Sequence, residues 1–170
     1  MFVAENESIG FVQYTYSDHY DMYNCWNDID TQKGYNTVFA QSFDDFCKVD
    51  INLFKFWVVI IDKQSNNRVG VLRLGLDETC PDLAIWIYPQ YRNKGYGTQS
   101  FALALRCLFE QYNYQELSAG CYKDNLHSLK ILKKIGFIHY PEYDQNELNC
   151  FTNEETTQLG FIISRDDIRD

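Results

Sequence analysis

The sequence predicts an α/β chain of the α+β kind, one domain over residues 1–170, and three observations carry that expectation. Short apolar runs bounded by turn residues recur along the chain and read as strands. Between them lie segments whose apolar residues return at helical spacing. Near the middle, a strand passes through a basic, glycine-containing turn directly into a helix. With 45% hydrophobic and 16% aromatic residues, the chain carries enough apolar side chain for a sizeable core, which argues against disorder over its whole length.

The elements follow in order. After a short apolar stretch at 11–14, Ser17 is the expected N-cap of a helix carrying Tyr20, Met22, Tyr23 and Trp26. A second short helix is expected after Ser42. The polar segment 28–36, with Gly34 inside it, reads as a loop within reach of a ligand. Residues 56–61 and 69–76 read as a hairpin joined by the turn-rich 62–67. Residues 83–88 are apolar almost throughout and are stopped by Pro89, which predicts a strand buried on both faces. Phe101, Leu105, Leu108 and Phe109 predict a helix over 97–109, and 116–121 reads as a strand. Asn125 is the expected cap of a helix holding Leu129, Leu132 and Ile135, and Gly136 its stop. Two last strands, 137–140 and 159–163, flank a polar excursion over 141–157.

Composition narrows the function. Lys plus Arg number 15 against 24 Asp plus Glu, a net charge of −9, and such an excess repels a phosphate backbone. No nucleic-acid partner is expected. The excess fits a cationic substrate, and fits equally a solvated surface that keeps the chain in solution. Six cysteines (Cys25, Cys47, Cys80, Cys107, Cys121, Cys150) are widely scattered with no C-x-x-C pair. They read as reduced, mostly buried thiols, with no metal site. The first six residues lack a basic stretch followed by an apolar core, so no secretory signal is read. The longest apolar run, 56–61, falls far short of the roughly 20 residues of a membrane helix. A cytoplasmic location with no membrane partner is the expectation.

The segment Arg92-Asn93-Lys94-Gly95-Tyr96-Gly97-Thr98 joins a strand to a helix start. Glycines there let main-chain N–H groups approach an anion, and the helix dipole favours negative charge. The same glycines also suit an ordinary tight turn. No P-loop pattern occurs in the chain. A dinucleotide fingerprint would need a third glycine where Ser100 stands, with Glu116 as the ribose ligand, which leaves an NAD oxidoreductase as a weak alternative.

Arg92-Asn93-Lys94-Gly95-Tyr96-Gly97 resembles the acetyl-CoA signature of the GNAT family of N-acetyltransferases: Arg or Gln, two residues, Gly, one residue, Gly or Ala. Residues 82–88 before Pro89 resemble that family's fourth strand. Asn125, Ser128, Leu132, Gly136 and Phe137 resemble its second signature, Asn-x-x-Ser on a helix ending in Gly-Phe. Two motifs in the right order are far more specific than either alone. The resemblance covers 69–163 well, and is greatest to the branch that acetylates ribosomal-protein N-termini, polyamines, amino sugars or antibiotics.

The resemblance implies a mixed, largely antiparallel central sheet of six to seven strands, flanked by about four helices. Its fourth and fifth strands would splay around a coenzyme A cleft. It implies acetyl-CoA as co-substrate, no metal, and direct acetyl transfer to a primary amine in a ternary complex. The main chain of Ile85, Ile87 and Tyr88 would hold pantetheine, with the Ile87 N–H as oxyanion donor. Arg92, Asn93, Lys94, Gly95, Tyr96, Gly97 and Thr98 would hold the pyrophosphate, and Asn125 and Ser128 would complete the coenzyme site.

Leu132 stands where many relatives carry an acidic tyrosine, so Ser128, one turn earlier, is the candidate proton donor, with a packing role as the alternative. Asp82 is the candidate base, with Asp77 and Glu78 in the loop before it. His127 is assigned to the surface, and Lys130, Lys133 and Lys134 either to the coenzyme's ribose phosphate or to a solvated face. A catalytically inactive CoA-binding module is the alternative from another class. The sequence leaves the amine acceptor open and leaves room for a homodimer.

Overall fold

The computed structural model describes residues 1–168. Two sheets carry the chain. The first has the order β1 (Ala4–Glu5), β2 (Ile9–Gln13), β3 (Trp57–Asp62), β4 (Asn67–Leu74) and β5 (Leu83–Ile87), each strand antiparallel to its neighbour. In the second, β9 (Glu155–Ser164) pairs with β6 (Glu116–Tyr122) on one side and with β7 (Ile138–His139) and β8 (Gln145–Leu148) on the other. The sheets meet at one parallel bridge, Asp82 with Ser118, where the Ser118 N–H donates to Pro81 O at 3.1 Å. Beyond that point β5 and β6 part, as the GNAT resemblance implies.

Helix α4 (Tyr96–Glu110) covers one face of the first sheet and α5 (Leu126–Ile135) packs beside it against β6, both sharing one core with strands of the two sheets; α1 (His19–Asn27), α2 (Ile29–Gly34) and α3 (Phe43–Phe46) lie on the other face of the first sheet. Strand alternation divides the apolar residues between two cores. Along β3, Val58 and Ile60 enter the core under α4 and α5, while Trp57, Val59 and Ile61 enter the core under α1 and α3. These five consecutive residues are all buried, at about 1.5–3 kcal/mol for each such side chain. The strand therefore anchors both layers. Among the described residues no helix is long and apolar enough to cross a membrane.

Several elements differ from the sequence reading. Helix α1 starts at His19 rather than after Ser17, because Thr15 and Asp18 cap a single 3-10 turn first, with the Thr15 N–H donating to Asp18 Oδ2 at 2.8 Å. The segment expected to be a loop, 28–36, holds α2. Its Asp28 carboxylate caps the Thr31 N–H at 2.9 Å, and buried Gln32 bridges Trp26 O and the Phe39 N–H. That helix is made by capping and tertiary bonds, so it carries no apolar period.

The polar excursion contains β8, whose four side chains are all exposed. Only its ladder to β9 defines it, so side-chain pattern carries no signal. Strand β5 is not buried on both faces: Leu83 and Trp86 are, whereas Ala84, Ile85 and Ile87 are half-buried because β5 borders an open cleft. All six cysteines are free; Cys25, Cys107 and Cys121 are buried, Cys47 and Cys80 half-buried, and Cys150 exposed.

Candidate active site

A cleft of about 500 Å³ opens between β5 and β6 and runs from the start of α4 to Asp82. Ladder geometry sets what it offers. The Tyr88 N–H donates to Val69 O at 3.0 Å, and Asp82 O accepts from the Gly75 N–H at 2.7 Å. Even-numbered residues of this stretch thus aim their main chain at β4; on the other side Leu83 meets β6 at the Asp82–Ser118 bridge, and Ile85 and Ile87 aim theirs into the open cleft. Tyr88 is the exception among the predicted pantetheine residues: its N–H is bound to Val69 and its carbonyl to the Tyr91 N–H at 2.8 Å, and it does not line the cleft.

The turn before α4 is shaped by two left-handed residues, Asn93 (φ 61°) and Gly95 (φ 84°). Gly95 occupies the N-cap of α4 and supplies no side-chain cap. The first-turn N–H groups of Tyr96, Gly97 and Thr98 therefore remain open beside the cleft these residues line. A Cβ on Gly97 would come 3.0 Å from Ile131 Cδ1, so this glycine lets α5 lie close against α4.

Arg92 is spent largely on protein partners. Its Nε donates to Ile87 O at 3.3 Å, and its Nη2 meets Thr31 Oγ1 at 2.6 Å and Asp28 Oδ2 at 2.8 Å. Burial pushes the Asp28 carboxyl upward, but the Thr31 N–H and Arg92 outweigh it and hold the group below its ordinary range. Lys94 points elsewhere, with its ammonium 5.4 Å from the Tyr91 ring centre, and does not line the cleft.

Across the cleft, Asn125 Oδ1 caps α5 by accepting the Ser128 N–H at 3.1 Å. Asn125, Ser128 and Leu132 line the cleft together, Leu132 being almost fully buried. His127, assigned to the surface from sequence, is exposed but stands at the cleft wall as well, because the first turn of α5 turns two of its faces to the opening. Lys130, Lys133 and Lys134 lie outside the lining.

Of the three loop acids, Asp82 alone enters the cleft. Asp77 accepts the Thr79 and Cys80 N–H groups in its own turn, and Glu78 pairs with Lys55 at 3.0 Å. The Asp82 residue is exposed, while its carboxyl stands among the protein groups that line the inner end of the cleft. Desolvation there raises its carboxyl pKa, and the Gly120 N–H and Arg73 act the other way without cancelling it. Arg73 lies beneath, its guanidinium 4.5 Å from the Phe54 ring centre, 5.3 Å from Trp57 and 5.4 Å from Trp86.

Sequence reasoning missed Tyr122 and Gln158, and placed Tyr35 only within the segment 28–36 expected near a ligand; all three line the cleft. Tyr35 donates to Ile85 O at 2.6 Å from 50 residues away, a contact with no local signal. Tyr122 hydrogen-bonds Glu147, and burial with that carboxylate pushes its hydroxyl up to about 12. Its place at the end of β6, just ahead of the Asn125 cap, was the one available clue. No group of three or more His, Cys, Asp or Glu side chains among the described residues is placed to hold a metal ion.

An open strand edge leading from a helix N-terminus to a carboxylate matches the family that the two motifs resemble. A family model described as acetyltransferase (GNAT) domain matches residues 8–138, and the chain belongs to that family of N-acetyltransferases. It is 35% identical over 52 residues to an uncharacterized N-acetyltransferase of Bacillus subtilis, YnaD; the match spans 30% of this chain and 31% of that relative's own length. Among solved structures, the chain resembles spermidine N-acetyltransferase of Vibrio cholerae in complex with CoA and spermine, with TM-score 0.83 and 16% identity over 95% of this chain and 98% of that one. It also resembles the Salmonella typhimurium enzyme that modifies the N-terminal serine of a ribosomal protein, with TM-score 0.78 and 12% identity over 96% and 99%. At these identities the structural likeness establishes the fold.

Proposed function

We propose that residues 1–170 act as one acetyltransferase domain that moves the acetyl group of acetyl-CoA directly to a primary amine in a ternary complex. One observation carries this reading: the donor groups of Ile85 and Ile87 face a cleft that ends at the open N–H groups of α4 on one side and at Asp82 on the other. Pyrophosphate would sit on the Tyr96, Gly97 and Thr98 N–H groups, in a turn shaped by Asn93 and Gly95, with Arg92 bracing that turn. Pantetheine would follow Ile85 and Ile87 toward Asn125.

Direct transfer needs a neutral amine, a polarised thioester carbonyl and a proton for the departing thiolate. The Ile87 N–H is assigned to the carbonyl oxygen, Asp82 to the amine proton through water, and Ser128 to the thiolate. Asp30 and Asp82 line the cleft, and this acidic lining favours a cationic acceptor such as a polyamine, with a protein N-terminus or an amino sugar as further members of the amine class. A CoA-binding module without turnover is the second reading, favoured by Leu132 at the position where many relatives carry tyrosine.

Isothermal titration with acetyl-CoA, followed by thiol release in the presence of polyamines, amino sugars and peptides, tests the proposal. The informative variant is Thr98→Asp: an acid in the first helical turn is tolerated by the α4 dipole but opposes pyrophosphate. Binding that this variant weakens at least tenfold, together with amine-dependent thiol release, supports the reading. Binding without release under every amine supports the non-catalytic module. No binding overturns both.

A further inference from the structure

Helix α2 is short and polar, yet side chains tied to its two ends reach the same edge of β5. At its C-terminal end Tyr35 stacks on Trp86, with ring centres 5.1 Å apart and planes 14° from parallel, and donates to Ile85 O at 2.6 Å. At its N-terminal end Asp28 and Thr31 hold Arg92 Nη2 at 2.8 and 2.6 Å, while Arg92 Nε donates to Ile87 O at 3.3 Å. The helix is fastened from outside by Asn36, in the left-handed region at φ 46°, which donates to Leu148 O at 3.0 Å and accepts the Cys150 N–H at 2.8 Å. Ile85 O and Ile87 O are two of the acceptors that β5 turns toward the cleft.

A strand edge ordinarily alternates donors and acceptors. Here both of these acceptors are already engaged from α2, whereas the Ile85 and Ile87 N–H groups are not drawn into the β4 ladder. We propose that α2, through Tyr35 and Arg92, engages the Ile85 and Ile87 carbonyls so that the N–H groups dominate this part of the β5 edge, and that Tyr35 is thereby a positioning residue for the thioester carbonyl. This rests on acetyl-CoA lying along β5, as proposed above.

The physical effect is electrostatic. A free carbonyl beside the reacting thioester would oppose the negative charge that develops on its oxygen. A hydroxyl and a guanidinium donated to Ile85 O and Ile87 O offset that opposition in a partly desolvated cleft, where such contributions are larger than in water. Burial holds the Tyr35 hydroxyl well above its ordinary ionisation range, so it stays a donor at every working pH.

The decisive variant is Tyr35→Phe, which keeps the stack on Trp86 and removes only the hydroxyl. The experiment reads the infrared stretch of carbonyl-labelled acetyl-CoA bound to the protein, with its Kd, and kcat once an amine acceptor is found. We expect Kd to change little, kcat to fall about fivefold, as for one lost hydrogen bond of about 1 kcal/mol, and the carbonyl stretch to move back toward that of free acetyl-CoA. Asn36→Ala removes the outer tie to Leu148 and Cys150 while Tyr35 keeps its own stack on Trp86 and bond to Ile85, and should leave the stretch in place.

An unchanged stretch in Tyr35→Phe overturns the inference, as does an equal shift in Asn36→Ala, which would mean that α2 matters only for folding. Acetyl-CoA that fails to bind the unaltered protein refutes the proposed function itself and this inference with it. Binding with a silent Tyr35→Phe refutes the inference alone.

Discussion

Gly34 at the end of α2 and Asn125 ahead of α5 face each other across the cleft: a Cβ on Gly34 would stand 3.4 Å from Asn125 Nδ2. That separation is ordinary van der Waals contact, so alanine fits and anything longer intrudes. Gly34 is helical, and replacing glycine by alanine there restricts the unfolded chain. Gly34→Ala should raise stability by about 0.5 kcal/mol and leave acetyl-CoA binding intact. Gly34→Phe should keep the melting temperature within about 2 °C while weakening acetyl-CoA at least tenfold in calorimetric titration. Equal binding by both variants would show that the cleft is not used between these two residues.

Asp82 makes a prediction about pH. Desolvation raises its carboxyl pKa, so as a base it becomes competent only above the ordinary carboxylate range of about 4. The acidic limb of kcat/KM should lie above that range. Arg73→Met removes a charge that lowers the Asp82 pKa and should move the limb further upward. Asp82→Asn should abolish the limb and lower kcat about a hundredfold. Stability should respond with the opposite sign: a carboxyl whose folded pKa is raised favours folding below its unfolded pKa and loses that contribution as pH rises through the folded value. Asp82→Asn should therefore gain stability relative to the unaltered protein at neutral pH and show no gain below about pH 4. A denaturation series across pH checks the sign.

The contrast between α4 and α2 shows what the sequence made legible. Helix α4 buries Phe101, Leu105 and Leu108 at helical spacing, so its pattern announces it to within one residue at each end. The Asn125 cap and the left-handed Gly136 stop of α5 were equally local, and the observed bonds and φ of 110° match them. Helix α2 has no apolar stripe and exists because Asp28, Gln32 and Arg92 find partners elsewhere in the chain. Its contribution to the cleft, Tyr35 on Ile85, joins residues too far apart for any periodicity to link. The motif residues were legible for the same reason as α4: they build a strand, a turn and a helix start in direct succession. Arg92 shows the limit, since its charge suggested an anion contact while the fold directs it to Asp28 and Thr31.

An ion pair with one buried partner gives a stability prediction away from the cleft. Asp18 is buried, caps Thr15, and accepts from the half-exposed guanidinium of Arg68 on β4. Arg68→Met removes the one cationic partner Asp18 has among the described residues and leaves the carboxylate on its Thr15 bonds. The expected loss is about 2 kcal/mol, typical for a hydrogen bond to a charged group, or a fall of roughly 4–8 °C in Tm for a chain of this size. Acetyl-CoA affinity should not change. A loss under 1 °C would mean that solvent replaces Arg68 without penalty.

The two glycines of the coenzyme motif should separate by mechanism. Gly95 holds φ at 84°, while the nearest atom to a Cβ there is Gln99 Nε2 at 3.6 Å. Gly95→Ala therefore meets no steric obstacle and suffers only the left-handed penalty of about 1 kcal/mol. The chain can relieve that strain by rotating the Gly95–Tyr96 peptide, which turns an N–H away from the cleft. Gly97 has ordinary helical φ, and a Cβ there would press on the flexible tip of Ile131 at 3.0 Å. Gly97→Ala gains helix propensity of up to about 1 kcal/mol, offset by moving Ile131 a few tenths of an ångström. Calorimetry should find Gly95→Ala less stable by about 2–4 °C with weakened acetyl-CoA binding, and Gly97→Ala near neutral in both. Reversal of that order would place the motif's requirement in clearance between α4 and α5 rather than in the direction of the main-chain donors.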